Sequence, residues 1–237
     1  LHRVDRRQRQ MCIRDSSTLE LDIVMSKDGI PVVWHDPDVQ AEKCHDTAPA
    51  TPNDHMYPYV GKLVHNLNWS QLQTLSCDKK LADFPGQKVA KDNRMIQLKD
   101  VFDIVKKYGA EKDIYYNIET KVEADDHSKS AEPKEFVDAI MGAVKDAGVQ
   151  DKVMIQSFDW RTFPLMKDVA PEVPLVMLYD ETTWLKDSKW TGDVNYDDVN
   201  GDVIKAAKKL GVQVLSPGYT NPCLLYTSDA ADDLLCV

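Results

Sequence analysis

Two acidic residues interrupt an apolar segment near the start of the chain, where a buried strand would ordinarily carry valine or isoleucine. In the run LELDIV, Glu20 and Asp22 alternate with apolar residues, and a later run, YYNIETK, carries Glu119 and Lys121 at the same spacing. Alternate residues of a strand project from one face, so neighbouring carboxylates would repel unless a cation neutralised them. Because carboxylate oxygens suit hard cations rather than zinc, we predict that Glu20, Asp22 and Glu119 bind Mg²⁺ or Ca²⁺.

A histidine follows the next apolar run, IPVVWH, after the turn sequence SKDG. Asp28-Gly29 between two such runs predicts a β-hairpin with a two-residue type I′ turn. In that register Asp22 faces His35, with about 4.5 Å between their α-carbons. An imidazole at that place could act as a general acid or base on a metal-held substrate. The alternative is that the acid pair lies on a solvated strand edge, but the apolar flanks favour a functional site.

The rest of the sequence alternates strand and helix patterns. Apolar residues at intervals of three and four predict helices, and short apolar runs between them predict strands, which together favour a parallel α/β sheet. We predict helices from Gln97 to about Gly109 and over 134–147, 160–170 and 201–210, and strands over 18–25, 113–121, 152–158, 173–178 and 211–217. The Pro-, Asp- and Lys-rich stretch 37–91 is predicted to be a long excursion with one short helix.

Composition limits the class of protein. The chain has 237 residues, 43% of them hydrophobic, which is enough for one domain with a large core. Its formal net charge of −10 argues against a nucleic-acid partner. No apolar run approaches the roughly 20 residues of a transmembrane helix, so an integral membrane segment is not expected.

The two ends of the chain differ from the rest. Back-translated, Met11–Ser16 and Cys223–Ser228 can encode the same DNA read on opposite strands, which resembles a translated adapter from sequencing-library preparation. We therefore interpret 1–16 and 223–237 as non-native flanks and 17–222 as the native part. A basic N-terminal arm and a helical tail are the alternative.

Three motifs then resemble those of the glycerophosphodiester phosphodiesterase family. LELDIVMSKDGIPVVWHD is similar to its acid pair, turn and His-Asp, while NIETK and IQSFD are similar to its second and third signatures. The resemblance implies a (β/α)8 barrel of the phospholipase C-like phosphodiesterase type that cleaves glycerophosphodiesters to sn-glycerol 3-phosphate and an alcohol. It implies a divalent cation on Glu20, Asp22 and Glu119, with His35 as one of two acid–base histidines and Lys121 as the phosphate-contacting lysine.

The resemblance also implies what the chain lacks. It has no counterpart of the family's first strand, which ends in His-Arg-Gly, or of its last two strands, so we expect an incomplete barrel with little activity. The excursion is similar to the insert of secreted members, which implies a Cys44–Cys77 disulfide and an extracytoplasmic protein. Two alternatives remain at this point: a non-catalytic module that binds metal and phosphate, and a glycosidase that uses Glu20 and Glu119.

Overall fold

The computed structural model describes residues 17–218, which form one open six-stranded sheet with the order β2-β1-β3-β4-β5-β6. The predicted flanks 1–16 and 223–237 lie outside these residues. Five strands run parallel and each lies beside the preceding parallel strand, while β2 pairs antiparallel with β1 at one edge. The strands are β1 (Thr18–Met25), β2 (Pro31–Val33), β3 (Tyr115–Thr120), β4 (Val153–Ser157), β5 (Leu175–Tyr179) and β6 (Val214–Pro217).

Helices connect the parallel strands, as the sequence pattern predicts. The α-helices are α1 (Trp69–Leu72), α2 (Leu98–Lys107), α3 (Pro133–Ala147), α4 (Thr162–Val169) and α5 (Val203–Leu210), and short 3-10 helices cover Val64–Asn66, Gln150–Lys152, Lys189–Thr191 and Asp197–Val199. This sequential strand order with a helix after each strand is the winding of a (β/α)8 barrel. The predicted fold class, an incomplete barrel, is confirmed.

The two faces of the sheet differ in chemistry because each strand alternates. One face carries apolar side chains such as Ile23, Ile118 and Ile155, and α2 to α5 cover it with their own apolar stripes to form the main core. The opposite face carries the charged and amide side chains of β1, β3 and β4. In a barrel that second face is the interior, and its polar side chains lie toward the carboxyl ends of the strands.

The excursion packs as a unit against the hairpin. A second apolar cluster joins Val24 and Val32 of the sheet to insert residues such as Tyr59 and Leu67. Cys44 and Cys77 are joined by a disulfide within it. The insert is therefore attached to the edge of the barrel next to His35.

The hairpin register differs from the predicted one by one residue. Met25 faces Pro31 and Ile23 faces Val33, so Asp22 lies opposite Trp34, whose N–H donates to the Asp22 carbonyl at 3.0 Å. The expectation that Asp22 faces His35 is wrong. The predicted type I′ turn has two central residues, both with positive φ. The observed turn has three residues.

Gly29 decides the geometry of that turn. It has a φ of 76°, and its N–H donates to the Ser26 carbonyl at 3.0 Å, as in a type I turn followed by a left-handed residue. The Ser26 hydroxyl donates to Asp28 Oδ1 at 2.7 Å and accepts from the Ile30 N–H at 2.9 Å. Asp28 Oδ1 also accepts from the Trp69 N–H at 2.9 Å, which attaches the turn to α1.

In the part of the chain that the structure describes, no helix combines the length and the apolar character needed to cross a membrane.

Candidate active site

Three carboxylates meet on the polar face of the sheet. The parallel register of β1 and β3 places Asp22 beside Glu119, and Glu20 lies two residues earlier on the same face. One oxygen from each of the three side chains lies within 4.8 Å of the others. Asp22 and Glu119 are buried, at 5% and 6% exposure, while Glu20 is exposed at the mouth of the group. The structure thus brings together the three residues that the sequence predicts as metal ligands.

Lys121 adds one positive charge to this group. Its Nζ lies 3.1 Å from Glu119 Oε1 and 3.9 Å from Asp22 Oδ1. Three carboxylates and one ammonium carry a formal charge of −2, which one divalent cation would balance. Because β3 ends at Thr120, Lys121 stands just beyond the carboxyl end of the strand, where its flexible side chain could also reach a bound anion.

Two amide side chains orient the carboxylate of Glu20. Gln156 Nε2 donates to Glu20 Oε1 at 2.7 Å, and Asn117 Nδ2 donates to Gln156 Oε1 at 2.7 Å. Sequence reasoning assigned no role to Gln156, although it lies in the IQSFD motif. A buried glutamine in an otherwise apolar strand is the signal that could have identified it.

The site raises the pKa values of two acids. Burial, reinforced by the Asp22 charge, raises the pKa of Glu20 to about 7, although Lys121 and the Gln156 hydrogen bond act in the opposite direction. Glu20 is exposed as a residue. Its carboxyl group nevertheless lies near Asp22 and accepts a hydrogen bond from Gln156. Burial also raises the pKa of Glu119, and the Lys121 ammonium offsets part of that effect.

His35 reaches the site by a different route from the predicted one. Because β2 ends at Val33 and the chain then bends, His35 Nε2 comes within 3.3 Å of Lys121 Nζ. Its Nδ1 lies 3.2 Å from Asp36 Oδ1, and Lys43 of the insert donates to the other Asp36 oxygen. With the proton on Nδ1, the neutral ring donates to Asp36 and keeps a lone pair on Nε2.

Asp36 is the partner that holds the imidazole. Burial opposes its ionisation, but hydrogen bonds from His35 and Lys43 outweigh that effect and lower the pKa of Asp36 to about 2. Asp36 is therefore a carboxylate at neutral pH and accepts from both neighbours. Lys43 and Asp36 are residues to which sequence reasoning assigned no role, since their contact depends on how the insert folds back.

The acidic group fits a hard divalent cation by its chemistry. Within residues 17–218, Asp22 Oδ1 is buried without a hydrogen-bond partner. An unpartnered buried carboxylate oxygen is unfavourable in a folded protein, and a cation at this place would satisfy it. All three candidate ligands offer oxygen, the donor that Mg²⁺ and Ca²⁺ prefer.

The remaining histidines within residues 17–218 lie on the insert or in the loop after β3. His45 and His55 are exposed on the insert, His65 is half-buried there, and His127 pairs with Glu132 at 2.9 Å. Trp160 is fully buried in the main core, and Trp34 packs against the insert cluster.

Comparison with solved structures supports the barrel. A protein from Silicibacter pomeroyi DSS-3 assigned to the glycerophosphoryl diester phosphodiesterases superposes with a TM-score of 0.73 at 21% identity, covering 97% of this chain and 74% of that one. An Oleispira antarctica phosphodiesterase in complex with the product sn-glycerol-3-phosphate superposes with a TM-score of 0.63 at 14% identity, covering 92% and 70%. A glycerophosphodiester phosphodiesterase from Parabacteroides distasonis ATCC 8503 gives a TM-score of 0.57 at 16% identity, covering 90% and 66%.

At the level of sequence, no curated protein shows significant similarity to this chain. The model of the glycerophosphoryl diester phosphodiesterase family matches residues 10–229, which is most of the chain and includes the acid pair, the His-Asp and both later motifs. The chain belongs to the glycerophosphoryl diester phosphodiesterase family.

Proposed function

We propose that this protein is a metal-dependent hydrolase of the type that cleaves glycerophosphodiesters to sn-glycerol 3-phosphate and an alcohol. One observation carries the proposal: three carboxylates lie within 4.8 Å of one another beside a lysine that approaches a histidine to 3.3 Å. Glu20, Asp22 and Glu119 would hold Mg²⁺ or Ca²⁺. When bound, the cation supplies positive charge to a phosphate oxygen and so stabilises the charge that develops during hydrolysis.

The chain's own residues contribute binding and proton transfer. The Lys121 ammonium supplies a second positive contact for a phosphate oxygen. His35 Nε2 can accept a proton from an attacking oxygen or return one to the leaving oxygen. Asp36 holds the ring through Nδ1, so Nε2 stays directed toward Lys121 and the carboxylates.

We also propose that turnover by this chain alone is low. Diester hydrolysis calls for a proton acceptor at the attacking oxygen and a donor at the leaving oxygen. Among the histidines within residues 17–218, His35 is the one with a hydrogen bond to a residue of the acidic group or to Lys121. A single imidazole would have to serve both steps in turn.

The test measures cation binding and hydrolysis separately. Calorimetric titration of the metal-free chain should detect one Mg²⁺ or Ca²⁺, and Glu119→Gln should weaken that binding by more than ten-fold. Glu172→Gln, a change of the same type in the exposed loop before β5, should bind as the unmodified chain does. The proposal is wrong if the unmodified chain binds neither cation, or if Glu119→Gln binds equally well.

Glycerol 3-phosphate release from glycerophosphocholine then separates the catalytic proposal from a binding module on the same barrel. Slow release that depends on the cation and is abolished in His35→Ala supports the hydrolase. Cation binding without release at any enzyme concentration would support the module. A glycosidase that uses Glu20 and Glu119 as its acid and base would need no cation. The presence of Asp22 beside these two carboxylates, and the contact of Lys121 with Glu119, favour the hydrolase.

We further propose that the protein acts outside the cytoplasm. The Cys44–Cys77 disulfide supports this, because such bonds persist mainly in oxidising compartments. Both cysteines are buried. Two experiments would test this location: expression in an oxidising compartment, where the bond should form, and mass spectrometry of the two cysteines in protein from the native host. Free thiols in the host would contradict the proposal.

A further inference from the structure

A disulfide lies next to the lysine that contacts Asp36. Cys44 directly follows Lys43 and is bonded to Cys77, 33 positions later in the chain. Both cysteines are buried in the second apolar cluster. The bond therefore fixes the backbone beside the residue whose ammonium donates to Asp36.

An unbroken series of side-chain contacts joins this lysine to the acidic group. Lys43 donates to Asp36, whose other oxygen lies 3.2 Å from His35 Nδ1. His35 Nε2 lies 3.3 Å from Lys121 Nζ, and Lys121 Nζ lies 3.1 Å from Glu119 Oε1. A displacement of the Lys43 ammonium would therefore reach the imidazole through a single carboxylate.

The turn that carries Lys43 is attached to residues 76–79. His45 and Ser76 exchange two backbone hydrogen bonds, at 2.8 and 3.1 Å. The Lys79 N–H donates to the Lys43 carbonyl at 3.3 Å. The disulfide adds a covalent link across this pairing, so it holds together the contacts that position Lys43.

The chain on both sides of this turn has anchors of its own. Before the turn, the Val39 N–H donates to the Lys62 carbonyl at 2.9 Å. After it, the Asp46 carboxylate accepts from the Tyr59 N–H at 2.7 Å. These contacts do not depend on the disulfide. Loss of the bond would therefore release the turn 40–45 without detaching the insert from the barrel.

Reduction of the bond would change the packing around it. Two thiols need more room than the disulfide that they replace, because sulfur atoms that are not bonded lie further apart than bonded ones. Protein interiors are close-packed, and both cysteines are buried. The two segments must therefore separate on reduction, and the separation displaces the Lys43 ammonium from Asp36.

We propose that the Cys44–Cys77 disulfide positions His35 through Lys43 and Asp36, so that the oxidised chain holds its acid–base histidine in place and the reduced chain does not. Formation of the bond passes two electrons and two protons from the cysteine thiols to the disulfide of an exchange partner, which leaves as its dithiol. The effect on turnover rests on the proposed function, whereas the coupling of the bond to His35 does not. Turnover would then stay low until the chain reaches an oxidising compartment.

The test is the NMR signal of the His35 ring in the full, metal-free chain, with the disulfide formed and after refolding in dithiothreitol. His35→Gln and His127→Gln assign the two signals that are compared. Reduction should shift the His35 signal and leave that of His127, which pairs with Glu132 in the loop after β3. An unchanged His35 signal would overturn the proposal. Loss of the folded spectrum on reduction would also overturn it, because the bond would then stabilise the whole protein rather than position one side chain.

Lysine variants show whether the effect passes through Lys43. In Lys43→Met the His35 signal should already be displaced with the disulfide intact, and reduction should move it much less than in the unmodified chain. Lys43→Arg keeps a donor for Asp36 and should restore most of the response. Lys62→Met is the matched control, because Lys62 is another half-buried lysine of the insert and donates to the Met56 carbonyl; its response should be unchanged. A full response to reduction in Lys43→Met would contradict the proposed route.

Hydrolysis separates this inference from the proposed function. If the chain releases glycerol 3-phosphate from glycerophosphocholine, reduction should lower kcat about ten-fold with little change in KM, and Lys43→Met with the disulfide intact should show a similar loss. Equal kcat for the oxidised and reduced chains would overturn the inference and leave the hydrolase intact. If the chain hydrolyses no diester but the His35 signal follows the bond through Lys43, the hydrolase proposal fails and the coupling stands.

Discussion

Replacing Lys43 by methionine should release the histidine of the site from the insert. The Lys43 ammonium donates to Asp36, and Asp36 accepts from His35. Methionine keeps much of the length and apolar stem of lysine but has no charge. Lys43→Met therefore removes one of the two partners that keep Asp36 ionised, and it leaves His35 as the other.

The magnitude follows from the pKa of Asp36. The folded protein lowers that pKa from 3.8 to about 2, and the side chain is 20% exposed. A shift of that size corresponds to about 2 kcal/mol of unfolding free energy at neutral pH. Because Lys43 and His35 each lower the pKa through a hydrogen bond and through charge, we assign about 1 kcal/mol to Lys43.

The sign of the pH dependence is defined by the lowered pKa. A carboxylate with a depressed folded-state pKa stabilises the protein fully above its unfolded value, and this stabilisation is lost as the pH falls through the folded value. The difference between the unmodified chain and Lys43→Met should be constant above about pH 4 and should narrow between pH 4 and pH 2. Urea denaturation over this range, with the disulfide intact, measures it.

A packing role for the lysine would give a different profile. Lys43 Nζ also lies 5.4 Å from the centre of the Trp34 ring, so its loss could act through that contact. A stability difference that does not change with pH would refute the role of Asp36. Lys134→Met is the matched control, because Lys134 pairs with Asp138 on the exposed surface of α3, and its loss should leave stability nearly unchanged at every pH.

Three further predictions concern the cation, the disulfide and the turn. Because the pKa values of Glu20 and Glu119 are raised, protons compete with the cation for these carboxylates. Calorimetry should therefore show that the affinity for Mg²⁺ or Ca²⁺ falls as the pH drops below about 7. Equal affinity at pH 8 and pH 6 would contradict this prediction. Replacing Cys44 and Cys77 by serine should lower the unfolding free energy by about 3 to 4 kcal/mol for a sequence separation of 33, measured by denaturation of the two chains under oxidising conditions. Gly29→Ala should lower the unfolding free energy by about 1 kcal/mol in the same assay, because Gly29 has a φ of 76°. Gly29→Asn should lower it by less, since asparagine tolerates the left-handed region better than alanine. A larger loss of unfolding free energy for asparagine would argue against the left-handed turn.

The fold could be predicted largely from local sequence patterns. The amphipathic periods of α2 and α3, and the short apolar runs of the strands, are set by which side chains must face the core. The predicted helix over 134–147 and the observed Pro133–Ala147 differ by one residue, since Pro133 suits the first turn. Local signals sufficed there because burial of one face dominates the energy of each element.

The hairpin shows where local signals fail. Asp-Gly is compatible with either a two-residue or a three-residue turn, and the choice changes the partner of every residue in β2. The contacts that accompany the three-residue turn, from Ser26 to Ile30 and from Asp28 to Trp69, include one partner 41 positions away. Such a contact cannot be inferred from the turn sequence itself.

The sequence by itself determined the alternation that puts Glu20, Asp22, Glu119 and Lys121 on polar strand faces, because the period of a strand depends only on backbone geometry. Tertiary structure decided which of these groups touch. The β1–β3 register sets Asp22 beside Glu119, and the folding of the insert brings Lys43 to Asp36 and thereby orients His35. Those contacts join segments far apart in the chain, so they depend on how the whole core packs rather than on any local preference.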